Sequence, residues 1–175
     1  MVLINILHSV NVHFGGVGLY SSQKDYLSIL RHLLQIKAAR ATNPILSLAS
    51  VNLIFEPSLP PAGAETISLV AAVLSKYLGL PVGAAQFSRG LLVNTADVPG
   101  KRKKHSGACT SSSNLVETSL TRKLQGGGWA NTSFFVDPTT GVAAVFATQV
   151  TPVSDEKHEQ MYAQLEGAIY EGLAA

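Results

Sequence analysis

The chain has 175 residues, of which 46% are hydrophobic and 14% are charged. This composition excludes a disordered protein and fits one packed domain. The formal net charge is +2, but four positive charges are consecutive at 101–104. The remainder is therefore slightly acidic, which excludes a general nucleic-acid binder.

The basic run at 101–104 follows a Pro-Gly pair, a combination typical of a surface loop. We interpret the run as a solvated loop. The alternative is a nuclear-localisation signal or a contact with a polyanion, whose affinity would fall steeply with salt.

The chain contains one cysteine, Cys109, so no disulfide can form within it. The first residues, 1–13, lack the positively charged start of a signal peptide, and we interpret them as an atypical N-terminal extension. No segment reaches the length of apolar sequence that a membrane span needs. We therefore expect a soluble, cytoplasmic protein without a membrane partner.

The first half of the chain predicts helices. A glycine-rich turn at 14–20 precedes a helix that is capped by Ser21 or Ser22 and runs to about Ala39. After the break at Asn43-Pro44, the apolar segment 45–55 predicts a second, short helix. A third helix is predicted from Glu65 to about Tyr77.

The second half predicts strands and a closing helix. A strand is expected at 86–94, a loop at 95–105 and a β-hairpin at 134–149 that turns at 137–141. The last helix has Ser154 as its predicted cap, and its apolar stripe is predicted to contain Met161, Leu165, Ile169 and Leu173. This order predicts an α+β fold, with helices packed on an antiparallel sheet.

The polar segment 111–125 has no clear period, and we interpret it as an insertion. It separates the short motif HSGACT from the glycine run GGGWANT. The chain is thus predicted to be a single, incomplete domain with an insertion near one strand.

Few residues suit metal binding or nucleophilic chemistry. His8 and His13 lack the spacing of metal ligands, so we assign no metal and no cofactor. Cys109 with His105 has no third group to orient it, which favours an inert thiol. The turn at 14–20 matches neither phosphate-binding glycine pattern and is interpreted as structural.

A serine three residues before a lysine can act as a nucleophile beside its base, since both lie on one side of a helix. The chain has this spacing at Ser21–Lys24 and at Ser154–Lys157. Both serines stand where a helix needs a cap, and we prefer that interpretation. The glycines at 126–128 are different, because they could bring strand N–H groups close to a developing oxyanion.

Three segments resemble one known family. They are FGGVGLYSSQKDYLSILRHLL at 14–34, SRGLLVNTADVPGKRKKHSG at 88–107 and GGWANTSFFVDPTTGVAAVFATQVTP at 127–152. They are similar to the C-terminal part of the β-lactamase-like serine hydrolases and transesterases, which include class C β-lactamases, related esterases and lovastatin-type acyltransferases. The resemblance covers roughly 14–48 and 86–173 and is most specific over 126–152.

The resemblance implies a site and a chemistry. It implies the C-terminal portion of the serine β-lactamase-like (DD-peptidase) fold, an acyl-serine intermediate and a small ester or amide substrate. It places a cleft-lining strand, the counterpart of the family's Lys-Thr-Gly motif, at Gly127, Gly128, Trp129 and Asn131, with Ser106 and Gly107 close to it. The insertion 111–125 would then fall inside this strand, which suggests a truncated or mis-spliced gene product.

The family's Ser-x-x-Lys nucleophile and its catalytic tyrosine precede the counterpart of 14–34. Only thirteen residues stand before Phe14, so we expect no catalytic residue in this chain and no activity from it alone. Substrate binding would require completion by an N-terminal half. The alternative is a non-catalytic binding or scaffolding domain derived from the same fold, and the oligomeric state stays open.

Overall fold

The structure of the chain is a computed structural model. It describes residues 21–78, 83–109, 131–151 and 155–174. The helices are α1 Gln23–Lys37, α2 Leu48–Phe55, α3 Pro61–Leu78 and α4 Glu156–Ala174. The strands are β1 Ala85–Phe87, β2 Leu92–Asn94, β3 Gly107–Cys109, β4 Thr132–Asp137 and β5 Val142–Ala147. The predictions for 1–20, 111–125 and Ser154 lie outside these residues.

The two first helices begin at serine caps. Ser22 Oγ accepts a hydrogen bond from the Asp25 amide at 3.1 Å, and Ser47 Oγ accepts one from the Ser50 amide at 3.1 Å. Each bond satisfies an amide that has no partner within the helix. Helix α3 starts earlier than predicted, at Pro61, because the fixed φ of proline suits the first helical position.

The five strands form one antiparallel sheet in the order β1-β2-β3-β4-β5, which confirms the predicted α+β class. The prediction of a single strand over 86–94 was wrong. The chain reverses at Ser88, whose Oγ accepts the Gly90 and Leu91 amides and whose own amide donates to the Leu91 carbonyl. A serine hydroxyl that bonds the following backbone is a common way to start a turn.

Helices cover both faces of the sheet. On one face α1 and α2 bury a cluster with the strand residue Val136, and on the other α4 packs on the neighbouring residue Phe135. The alternation along β4 sends these two side chains to opposite faces. The first cluster consists of Leu33, Ile36, Val51, Phe55 and Val136; the second of Ala108, Phe135, Ala144, Tyr162 and Tyr170.

Helix α4 uses a different face from the predicted one. Its buried residues follow at intervals of four, and they are His158, Tyr162, Glu166 and Tyr170. Met161 and Leu173, from the predicted apolar stripe, are 52% and 54% exposed. Asp155 occupies the capping position, and its Oδ1 accepts the His158 amide at 2.9 Å. Across the residues that can be placed, no helix is long and apolar enough to cross a membrane.

Candidate active-site strand

The tripeptide His105-Ser106-Gly107 leads into β3. The Ser106 hydroxyl donates to the Lys103 carbonyl at 2.5 Å, and the Ser106 side chain is buried. The His105 amide donates to the Asn94 carbonyl, although His105 has a left-handed φ of 68°. A non-glycine residue there is uncommon and needs firm support from its surroundings. The residues that lead into β3 are therefore held by hydrogen bonds to the preceding loop, at Lys103, and to strand β2, at Asn94.

Gly107 lies against a neighbouring strand turn that leaves no space for a side chain. A Cβ at this position would come within 2.3 Å of Leu91 Cδ1 and 3.0 Å of Leu91 Cβ. A larger residue at this position would force the Leu91 side chain to move. The φ of Gly107 is not positive, so its backbone conformation does not itself require glycine.

The interpretation of 101–104 as a solvated loop was wrong for Arg102. That side chain is 2% exposed, and its Nε lies 2.6 Å from Glu166 Oε1. Lys101 Nζ lies 3.4 Å from the other oxygen of the same carboxylate. Lys103 pairs with Asp97 at 3.5 Å on the surface. Three of the four side chains therefore have carboxylate partners within the chain, and the polyanion alternative stays a prediction.

Asp137 is the second anchor of this loop. One carboxylate oxygen accepts the Lys103 amide at 2.9 Å and the Tyr170 hydroxyl at 2.8 Å. The other accepts the Thr139 and Thr140 amides of the hairpin turn. Burial, together with the bond to Asp137, raises the pKa of Tyr170 well above its usual value. The basic loop is thus fixed to both β4 and α4.

Nearby, Asp97 Oδ1 accepts the Lys104 amide at 2.8 Å. This hydrogen bond, which favours the charged carboxylate, lowers the pKa of Asp97. Lys103 and Lys104 themselves remain exposed.

Asn131 does not join Ser106 and Gly107. It is fully buried, its Nδ2 donates to the Val150 carbonyl at 2.7 Å, and its Oδ1 accepts the Asp155 amide at 3.3 Å. Gly107 pairs with Val136 near the end of β4, whereas Asn131 precedes the first residue of that strand. The two positions are on the order of 15–20 Å apart along β4, at 3.3 Å per residue. Gly127, Gly128 and Trp129 lie outside the described residues.

Of the predicted site residues, Ser106 and Gly107 therefore lie at the start of β3, directly after His105. The sequence analysis considered His105 only as a partner for Cys109 and missed its place before Ser106 and Gly107. The signal in the sequence was a basic residue, a hydroxyl residue and a glycine in succession at the start of a β-prone segment. Cys109 lies at the other end of β3, so the strand itself separates it from His105.

The segment 111–125 does not interrupt the described part of a strand. β3 pairs with β4 from Gly107 to Cys109, and β4 begins at Thr132. In sequence, the segment stands between the two antiparallel neighbours β3 and β4. The predictions that 111–125 is an insertion and that the gene product is truncated or mis-spliced stay predictions.

A buried serine–histidine pair was also missed. Ser133 Oγ lies 3.0 Å from His158 Nε2, and Thr148 Oγ1 lies 3.3 Å from His158 Nδ1. Ser133 and His158 are each 1% exposed, so no substrate can reach them. Burial lowers the pKa of His158, although the charge of Asp155 acts in the opposite direction. The pair joins α4 to the sheet.

The other candidates have structural roles or lie outside the structure. Ser21 Oγ donates to the Ser22 carbonyl at 3.0 Å, and Ser22 caps α1. Ser154 is not among the placed residues. Within the described ranges, no group of three or more histidine, cysteine, aspartate or glutamate side chains could hold a metal ion.

The antiparallel sheet with helices on both faces is the β-lactamase-like fold, and the chain corresponds to part of it. The comparisons with solved structures identify an acyltransferase of this fold. Unliganded simvastatin synthase (LovD) from Aspergillus terreus superposes with a TM-score of 0.66 and 25% identity, over 90% of this chain and 36% of that one. Its LovD9 mutant gives 0.70 and 25%, over 92% and 37%.

A selenomethionyl form of the same synthase gives a TM-score of 0.68 at 23% identity. The chain spans just over a third of the length of these solved structures. This share agrees with the expected resemblance to one part of the fold. No family model matches the sequence, and no curated protein matches it either.

Proposed function

We propose that strand β3 of this chain forms one wall of an acyl-transfer site, and that this site belongs to a β-lactamase-like serine hydrolase or transesterase. The carrying observation is the likeness to simvastatin synthase over 92% of this chain and only 37% of that enzyme. In the complete enzyme a serine would be acylated by an ester or amide, and the acyl group would pass to water or to another acceptor. The cytoplasmic location expected from the sequence is part of this proposal.

His105, Ser106 and Gly107 would stand in the place of the family's Lys-Thr-Gly motif. Strand β2 pairs with β3 only at Gly107 and Ala108. Cys109, the last described residue of β3, has no partner in β2, and we propose that a substrate carbonyl approaches the main chain at this point. Backbone N–H groups in that position would stabilise the oxyanion of the tetrahedral intermediate.

The chain alone is expected to be inactive, because no serine with its base is available in the proposed wall. The purified chain should release p-nitrophenol from p-nitrophenyl butyrate no faster than buffer, and a fluorophosphonate probe should leave it unlabelled. Turnover that Ser21→Ala abolishes would contradict this expectation. Ser28→Ala is the matched control, since Ser28 lies on α1, the helix that follows Ser21, and its hydroxyl donates to the Lys24 carbonyl.

The transcript gives the more direct test. Reading the message upstream of the codon for Met1 should reveal an in-frame Ser-x-x-Lys motif if the chain belongs to a complete acyl-transfer enzyme. A message without this motif, from which the chain is translated as it stands, would contradict the proposed catalytic context.

A second candidate function is a non-catalytic binding or scaffolding domain. It is favoured by the internal use of two predicted site residues: the Ser106 hydroxyl bonds the Lys103 carbonyl, and the Asn131 amide bonds Val150 and Asp155. Neither group is presented to a ligand. A stable complex with a separate polypeptide, unchanged by His105→Ala, would favour this candidate.

A further inference from the structure

Strand β5 is the last strand of the sheet, and within the described ranges no strand lies beyond it. The other edge strand, β1, is different, because the Ser58 amide and hydroxyl both donate to the Phe87 carbonyl. The connection between α2 and α3 therefore reaches the outer side of β1. An uncovered strand edge carries unpaired N–H and C=O groups, which can accept a further strand. Among the described residues, the outer edge of β5 is thus the open end of the sheet.

Two hydrogen bonds show which backbone groups of β5 point outward. The Thr148 amide donates to the Asn131 carbonyl at 3.2 Å, on the side of β4. In a trans peptide the carbonyl of the preceding residue, Ala147, points the opposite way, and it accepts Gln23 Nε2 at 3.0 Å. Because the direction alternates along a strand, every second residue of β5 presents its N–H and C=O groups at the edge. We call these residues the outer row; they are Ala143, Val145 and Ala147.

A strand added at this edge would lie between two helices. Ala143 packs on the cluster formed with α1 and α2, whereas its neighbours Val142 and Ala144 belong to the cluster under α4. A helix is about 10 Å wide and neighbouring strands lie about 4.8 Å apart, so helices over β5 also reach over the next strand position. A strand covered on both faces has a continuous apolar run instead of an alternating one. The occupant is therefore expected to be apolar and uncharged over the 6 residues of β5.

A run of this kind stands shortly before α1 in the sequence. Residues 2–7 read VLINIL and carry no charge. The chain enters α1 beside the end of β5, where the Gln23 side chain meets the Ala147 carbonyl. The connecting residues, 8–20, span up to about 43 Å when extended, whereas β5 is about 20 Å long. The connection is therefore long enough for 2–7 to lie along the whole of β5.

We propose that residues 2–7 add to the outer edge of β5 as a further strand, so that the chain completes its own sheet. Main-chain hydrogen bonds to the outer row would hold this strand, and α1 and α4 would cover its apolar side chains. The N-terminal extension 1–13 would thereby have a structural role. The proposal stands independently of the acyl-transfer function, since it needs no residue of β3.

Amide hydrogen exchange of the full chain, followed by NMR, tests the proposal residue by residue. In the wild-type chain, the outer row should be protected to within about tenfold of the inward amide of Ala144. Ile4→Pro removes a backbone N–H and disfavours a strand, so it should make the outer row exchange at least about 100-fold faster. Val12→Pro is the matched control, because it lies in the same extension but outside 2–7. It should change these rates by less than about threefold.

The Ala144 amide separates loss of the added strand from a failure to fold, since it should keep its protection in Ile4→Pro. If that variant unfolded altogether, cross-strand NOEs between 2–7 and Val145 in the wild-type chain would decide instead. Free exchange of the outer row in the wild-type chain would overturn the proposal and leave the edge to a separate polypeptide. Protection that survives Ile4→Pro would also overturn it, and a rise of that protection with chain concentration would indicate pairing between two copies of β5.

Discussion

His158 links three secondary-structure elements through its imidazole. Its two ring nitrogens face the hydroxyl groups of Ser133 on β4 and Thr148 after β5. The ring also packs on Phe146 and lies parallel to Tyr162. A neutral imidazole can form hydrogen bonds with both hydroxyl groups. A protonated imidazole at the same place would be a buried charge that has lost its hydration and has no buried carboxylate beside it, which costs free energy. The residue therefore couples helix packing to pH.

The free energy of unfolding should fall as the pH drops below about 6.5, the ordinary pKa of histidine. Because the pKa of His158 is lowered in the folded state, the unfolded state binds more protons in this range. His158→Gln should cost about 1–3 kcal/mol at pH 8 but should flatten the dependence between pH 5 and 7. Urea unfolding of both proteins across this range gives the comparison. An equally steep dependence in the variant would contradict the assignment to His158.

The close packing of Gly107 against Leu91 gives a second test, because a single added methyl group probes it. Gly107→Ala should destabilise the chain by about 1–3 kcal/mol, because its methyl group collides with Leu91. Leu91→Ala should be less harmful in combination with it than alone, as the two changes share one space. Gly172→Ala is the control: nothing lies within 4 Å of a Cβ there, and alanine favours helix. Thermal unfolding of the four variants and the wild-type chain measures the coupling.

At the scale of elements, the loop before β3 is fixed to α4 by one buried ion pair. Glu166 meets Arg102 and Lys101, and the three side chains join segments that are 65 residues apart in sequence. Because the β3 entry follows within a few residues, the geometry of His105 depends on this distant helix. Removal of Arg102 leaves the buried Glu166 carboxylate with only the partly exposed Lys101 at 3.4 Å as its cation.

Arg102→Met should therefore destabilise the chain by about 3–5 kcal/mol, whereas Lys104→Met should change stability by less than about 1 kcal/mol. The double variant Arg102→Met with Glu166→Met should recover part of the loss, since no buried charge remains. Chemical denaturation can compare all three variants. Equal effects of Arg102→Met and Lys104→Met would show that the loop behaves as a solvated run after all.

The connection between β3 and β4 gives a prediction about chain length. Deletion of 111–125 should change the free energy of unfolding by less than about 1–2 kcal/mol, because loop-closure entropy varies slowly with length. Thermal unfolding of the deleted chain measures this. A large loss of stability would mean that the segment contributes to the ladder.

For the molecule as a whole, the sequence contained enough to predict the class of fold and most elements. The Ser22 cap, the proline at 44 and the hairpin turn at 137–141 act through local backbone geometry, so they could be read directly. The family resemblance supplied the arrangement of these elements, and the likeness to simvastatin synthase confirms it.

The rest depended on partners far away in sequence. Nothing local shows that Arg102 is buried, because its carboxylate is on α4. The same helix turns the polar residues His158 and Glu166 inward, since β4, β5 and the basic loop supply hydroxyl groups and a cation to meet them. Periodicity selects the most apolar stripe and cannot detect such pairing, so it chose Met161 and Leu173.

The long separation between α1 and its sheet has a consequence for how the chain folds. Gln23 Nε2 donates to the Ala147 carbonyl across 124 residues, while β4 and β5 are joined by a four-residue turn. Closing a short hairpin takes microseconds, whereas distant contacts must first overcome the entropy of a long loop. The β4-β5 hairpin with α4 should therefore form first during refolding, and α1 should dock last. During synthesis the order of emergence is reversed, so α1 and α2 must wait, with their apolar sides uncovered, until the final strand has left the ribosome.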